Sequence, residues 1–280
     1  MAVKHWKVPF SIAAAMVFVM CTPVDVRPQT SADSVFKTRH WSGQGVAPVY
    51  EGFDFNPDGT FNLWFGYMNR NYEEELDIPV GSENTMEPGG DRGQPTHFAT
   101  RRHKDVFRVV VPRDFGKQTL VWKLTVRGKI EVVTGTLNPV WQIDRRRTTR
   151  GGNDEAMDSN TPPTVNVQPP VQTITLPGTA TLNVSATDDG LPKRWRRGGP
   201  SDGPALKVDW LMFRGPAEVT FKPSDGWLTD GKATTIVSFA EPGEYVLQAV
   251  IDDGSGELSG DFGYHCCWTN AEVRVSVKAR

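Results

Sequence analysis

Phe61-Asn62-Leu63-Trp64-Phe65-Gly66-Tyr67 places a large apolar side chain at every second position. In an extended chain Phe61, Leu63, Phe65 and Tyr67 share one face, while Asn62, Trp64 and Gly66 share the other. The run from Leu120 repeats the pattern: Leu120, Trp122, Leu124 and Val126 lie opposite Val121, Lys123 and Thr125. A period of two predicts a half-buried antiparallel sheet rather than a helix. Outward from these runs, Val46 to Phe53, Val106 to Val111 and Lys129 to Leu137 also have strand character, with turns such as Asn56-Pro57-Asp58-Gly59 between them. Together they delimit a first block, residues 46–143. Within it, Gly81 to His103 is long, polar and rich in glycine and proline, and is expected to be a loop that is either functional or disordered.

The whole chain has 280 residues, and composition agrees with short strands joined by turns. There are 27 glycines and 21 prolines, roughly one residue in six. Hydrophobic residues at 38% and charged residues at 23% are ordinary for a folded protein and argue against wholesale disorder. With 31 Lys and Arg against 33 Asp and Glu the formal charge is −2, which excludes a nucleic-acid binder that works by bulk charge.

The start of the chain reads as an export signal. Lys4, His5 and Lys7 form a basic beginning, and Val8 to Cys21 is a largely apolar stretch, too short for a membrane span and right for a signal core. Cleavage after Ala32 makes 1–32 a signal peptide and 33–45 an N-terminal extension. Acylation of Cys21 is the competing exit, disfavoured by the bulky Met20 before it. The expected location is periplasmic, outer-surface or secreted, with no transmembrane helix in the mature chain. In such an oxidising compartment Cys266 and Cys267 can close a vicinal disulfide ring, or lie as two thiols on opposite faces of a strand.

Residues 144–163 read as a charged linker: Arg145, Arg146, Arg147 and Arg150, then Gly151 and Gly152, then Asp154, Glu155 and Asp158. Beyond it, 164–280 holds strand candidates at Thr164–Val167, Gln172–Leu176, Ala180–Ala186, Lys207–Phe213, Ala217–Lys222, Ala233–Phe239, Gly243–Asp252 and Ala271–Val277. Short strands at this spacing predict a Greek-key sandwich. Leu176-Pro177-Gly178-Thr179, Asp188-Asp189-Gly190, Trp210, Pro242-Gly243-Glu244-Tyr245 and Asp252-Asp253-Gly254 resemble the polycystic-kidney-disease-repeat family. That resemblance implies an immunoglobulin-like sandwich with Trp210 and Tyr245 in its core. The first block, through Val49 to Gly52, Phe65 to Asn71, Leu76 to Gly81 and Gly93 to Phe98, resembles an uncharacterised domain of exported bacterial proteins, which implies no activity. The expected fold is therefore all-β: two immunoglobulin-like β-sandwich domains after a signal segment.

Candidate chemistry is sparse. His40, His97, His103 and His265 have no metal-binding spacing, and neither a nucleophile elbow nor a phosphate-cradling glycine loop is present. His97 and His103 read as surface histidines, or as a cationic cluster with Arg101 and Arg102. Glu73, Glu74 and Glu75 read as a solvated strand edge. Asp188 and Asp189, with Asp252 and Asp253, follow strands of opposite sheets and could share a calcium ion, a role the family resemblance also implies for comparable loops; turn formation by Asp-Gly is the alternative. No other cofactor is expected. Lys193, Arg194, Trp195, Arg196 and Arg197 set an indole among cations and suit a partner's anionic surface. Trp64, opposite the core face of its strand, could stack on a sugar ring or sit in an interface. The expected function is non-catalytic: binding an envelope protein in adhesion or assembly. The alternatives are a carbohydrate-binding module and an accessory domain of a secreted hydrolase system, an enzyme reading for which Asp188, Asp252 or His97 would be the groups to test.

Overall fold

In the first sandwich the alternation of the sequence becomes burial. In the computed structural model, which describes residues 39–143, 160–191, 206–253 and 267–280 together with the backbone at 195–196 and 199–200, Leu63, Phe65, Trp122 and Leu124 have no exposed surface. The strands are β1 (Val46–Phe55), β2 (Phe61–Asn69), β3 (Leu76–Asp77), β4 (Asn84–Glu87), β5 (His97–Phe98), β6 (Arg101–Val111), β7 (Leu120–Val126) and β8 (Lys129–Gly135). Sheet β1-β2-β6 and sheet β4-β7-β8 are antiparallel, and a small β3-β5 pair lies beside them. Trp122 of β7 stands edge-on to Phe65 and Phe107 of the other sheet, with ring centroids 6.1 and 5.0 Å away. Its indole N–H donates to Asn84 Oδ1 at 3.0 Å, and Asn84 Nδ2 donates to the carbonyls of Ile78 and Pro95. A buried amide satisfied on three sides thus pins β4 to the segments around it.

That network corrects the expectation for 81–103. The stretch is not a featureless loop: it contains β4, β5 and the start of β6, with Asn84, Met86 and Gln94 fully buried. Its order comes from polar side chains bonding to backbone, which leaves no periodic signal. Gly52 marks a bulge in β1 at φ +133°, where a Cβ would collide with the carbonyl oxygen of Trp141.

The second sandwich is built from β9 (Thr164–Gln168), β10 (Val171–Thr175), β11 (Thr179–Thr187), β12 (Trp195–Arg196), β13 (Gly199–Pro200), β14 (Lys207–Arg214), β15 (Val219–Lys222), β16 (Asp225–Trp227), β17 (Lys232–Phe239), β18 (Gly243–Asp252) and β19 (Trp268–Lys278). Sheet β10-β19-β18-β14-β16 faces sheet β15-β17-β11-β9, and β12 pairs with β13. Between the two larger sheets lie Leu182, Val184, Trp210, Val237, Tyr245, Leu247 and Val275. Tyr245 is buried, stacks edge-to-face on Phe239, and donates its hydroxyl to the Glu241 carbonyl at 2.8 Å, a tyrosine corner. The described chain is all-β, two immunoglobulin-like sandwiches without an α-helix among the described residues.

Candidate functional site

From Arg39 to Arg280 the chain forms one compact unit, and the seam between its two sandwiches is built rather than incidental. In β14, Val208, Trp210 and Met212 face the core of their own sandwich. Phe213, on the opposite phase of the strand and at a register shift between Met212 and Arg214, enters the core of the first sandwich, with Val246 packed beside it. Around Phe213 the backbone is tied: its carbonyl accepts from Thr96 N at 3.1 Å. Arg214 Nε donates to the Gln94 carbonyl at 2.8 Å, and its guanidinium forks onto Asp91 at 2.8 and 3.1 Å, holding that carboxyl below the usual range. Farther along, Gln248 Nε2 donates to the Val106 carbonyl and Asn270 Nδ2 to the Asp105 carbonyl.

Two clefts open at this seam. The first, about 710 Å³, is lined by Asp54, Trp64 and Arg108 from one side and Trp268, Asn270 and Glu272 from the other. Trp64 is half-buried. Its N–H donates to Asp54 Oδ2 at 3.0 Å, Asn62 Nδ2 donates to Asp54 Oδ1 at 2.6 Å, and the Arg108 guanidinium stands 5.5 Å from the ring. The Oδ1 of Asn270 is a buried acceptor with no hydrogen-bond partner among the described residues.

The second cleft, about 690 Å³, is lined by Glu75, His97 and Arg102 and, across the seam, Lys207, Asp209 and Asp225. His97 is clamped, with Nδ1 2.8 Å from Asp77 Oδ1 and Nε2 2.9 Å from Glu75 Oε2. Burial opposes a charge there, but the two carboxylates outweigh it and push the imidazole up to about 9, so the ring is an imidazolium at neutral pH. The surface reading of His97 does not hold; Glu75 is exposed, as the solvated-edge reading has it, but it also clamps His97. The pairing Asp77 opposite His97 in β3-β5 brings residues distant in sequence together. His103 is half-buried, stacked on Tyr67 and held neutral: burial, with Arg102 adding, pushes its pKa down. Arg102 forks onto Glu51 at 2.5 and 2.7 Å. Lys207 reaches Asp209 at 2.8 Å and Asp225 at 3.2 Å.

The acidic loops are only partly assembled. Asp188 and Asp253 come within electrostatic reach of each other at one end of the second sandwich. Asp189 turns to Thr161, whose N–H and hydroxyl both donate to Oδ2, and Leu191 N donates to Oδ1. Asp252 lines a smaller seam pocket of about 140 Å³. Among the described residues no group of three or more His, Cys, Asp or Glu is placed to hold a metal ion. Burial, with the charges of Asp253 and Asp189 adding, raises the Asp188 pKa to about 6. A carboxyl with a raised folded-state pKa binds more protons folded than unfolded, so it lowers stability as pH rises from about 4 to 6. Asp188→Asn should therefore stabilise the chain at pH 7 by about 1 kcal/mol, discounted for partial solvent access, and flatten that slope. Urea denaturation at pH 4.5 and 7 checks it; a loss of stability at pH 7 would show that the charge is used.

Cys267 is buried and disulfide-bonded, while Cys266 lies outside the described residues. Lys193, Arg194 and Arg197 lie outside them too, and of Trp195 and Arg196 only the backbone is described. Among the described residues no helix is long and apolar enough to cross a membrane. Sequence reasoning missed the seam altogether. Its one signal was Leu211 and Phe213, two apolar residues on the face of β14 that points away from its own core.

No family model and no curated protein matches the chain. Solved structures show low-identity similarity. The D00–D0 domain of intimin matches at 11% identity and TM-score 0.25, covering 85% of this chain and 96% of that one. The Yersinia pseudotuberculosis adhesin InvE matches at 12% and 0.26, covering 82% and 58%. Domains 4 and 5 of the S-layer protein SbsC match at 16% and 0.26, covering 58% and 66%. The chain thus spans less than two thirds of the InvE and SbsC chains.

Proposed function

We propose that the chain is an exported, non-catalytic interaction module of the cell surface or periplasm that holds a protein partner in adhesion or assembly. One observation carries the reading. Phe213 crosses the seam into the core of the other sandwich, so the two sandwiches form a single rigid frame and the clefts beside the seam keep their shape without a ligand. A frame already organised loses little entropy on binding. Export rests on residues 1–32, and placement of the second sandwich in the polycystic-kidney-disease-repeat family rests on its quoted motifs, with Trp210 and Tyr245 in the core. Crosslinked capture of the tagged chain from native envelope, analysed for protein and sugar together, tests the proposal. A stoichiometric protein partner is expected. Turnover that dies with Asp188, Asp252 or His97 would replace the reading with an enzyme.

A carbohydrate ligand is the second reading, favoured by Trp64 in the wall of the 710 Å³ cleft beside Asp54 and Arg108. Retention on polysaccharide, abolished in Trp64→Ala and without a captured protein, would establish it instead.

A further inference from the structure

In the 690 Å³ cleft acids and bases sit at different depths. The side chains of Glu75, Asp209 and Asp225 are 38–55% exposed, whereas those of His97, Arg102 and Lys207 are only 7–28% exposed. The bases form the floor and the carboxylates the rim. Each of the paired rim carboxylates meets its base through one oxygen: Glu75 Oε2, Asp209 Oδ1 and Asp225 Oδ2. Glu218, exposed and in no ion pair among the described residues, extends the rim on the second sandwich. The cleft is lined by four carboxylates, and with Glu51 behind Arg102 and Asp77 behind His97 six stand against three bases. Ala99, Leu211 and Phe221 supply an apolar strip along the cleft.

We propose that this cleft docks a lysine- and arginine-bearing segment of a partner protein. The rim runs from Glu75 on one sandwich to Asp209, Glu218 and Asp225 on the other, so it presents a row of acceptors rather than one point. A single small amine meets only part of that row. A basic polypeptide segment meets all of it, laying the aliphatic stems of its side chains on the apolar strip while the cationic heads reach the carboxylates. Sunken bases also reject an acidic segment, which would face the rim carboxylates first.

This inference rests on the protein-binding reading above, and calorimetric titration of the purified chain tests it separately. The probes are a ten-residue peptide alternating Lys and Arg with Gly, the same peptide with Glu for every base, and free arginine. The basic peptide should bind at micromolar level and weaken roughly tenfold between about 50 and 300 mM salt, and the acidic peptide should not bind. Glu218→Lys, which breaks no ion pair, should weaken the basic peptide at least about fivefold, and Asp209→Asn with Asp225→Asn about tenfold or more. A control with Glu83→Gln and Asp114→Asn, away from the cleft, should bind as the unmodified chain does. Equal binding by free arginine, or binding unchanged in Glu218→Lys, would overturn the proposal. Native capture of a protein partner that these variants leave intact would sink the cleft assignment and spare the protein-binding reading; loss of all capture with peptide binding preserved would do the reverse.

Discussion

Phe213→Ala should cost about 3–4 kcal/mol and split one thermal transition into two. The side chain is buried in a core that belongs to the other sandwich, so truncation removes a large apolar contact and leaves a cavity at the seam. The core of its own sandwich does not include it, so both sandwiches should keep their strands. What is lost is the coupling between them. Calorimetry should show a single peak for the unmodified chain and two resolved peaks for the variant, with far-ultraviolet circular dichroism unchanged at 20 °C. A loss under about 1 kcal/mol with one peak retained would mean that Phe213 does not hold the seam.

His97→Gln should destabilise the chain by about 2–3 kcal/mol at pH 6 and much less near pH 10. The imidazolium is buried between Glu75 and Asp77, and its removal leaves two carboxylates facing each other without a cation. The sign follows from its pKa, raised from the ordinary histidine value of 6.5 to about 9. The folded state holds the proton more tightly than the unfolded one, so the stabilisation is complete below about pH 6.5 and is lost as pH rises through 9. Urea denaturation across that range should show stability falling with pH in the unmodified chain, and a flatter profile in the variant. An unchanged slope would place the titrating group elsewhere.

Most strands were legible, and the reason is periodicity. β2, β7, β11, β14 and β18 carry alternation long enough to set their faces, and Trp122, Trp210 and Tyr245 lie in the cores that the alternation marks. The two-residue strands β3 and β5 have no period to read, yet their pairing creates the His97 clamp. β4 is held by Asn84, a polar residue whose role depends on carbonyls that only the folded chain brings near. Glu73, Glu74 and Glu75 read alike as a charge run but part company in the fold: Glu74 accepts from Gly43 N and pairs with Arg127, while Glu75 clamps His97. Phe213 was the legible hint that went unread. A large aromatic on the outward phase of a half-buried strand calls for a second layer, and here that layer is the other sandwich.

The central claim is that the two sandwiches are one body with a permanent seam. The backbone N–H of Thr96 donates across that seam to the Phe213 carbonyl at 3.1 Å, so its hydrogen exchange reports on docking alone. Native-state exchange followed by NMR should find the Thr96 amide protected nearly as well as Leu63 and Leu247 in the two cores, and exposed in Phe213→Ala. Exchange of Thr96 at the rate of a free loop, with both cores still protected, would contradict the account.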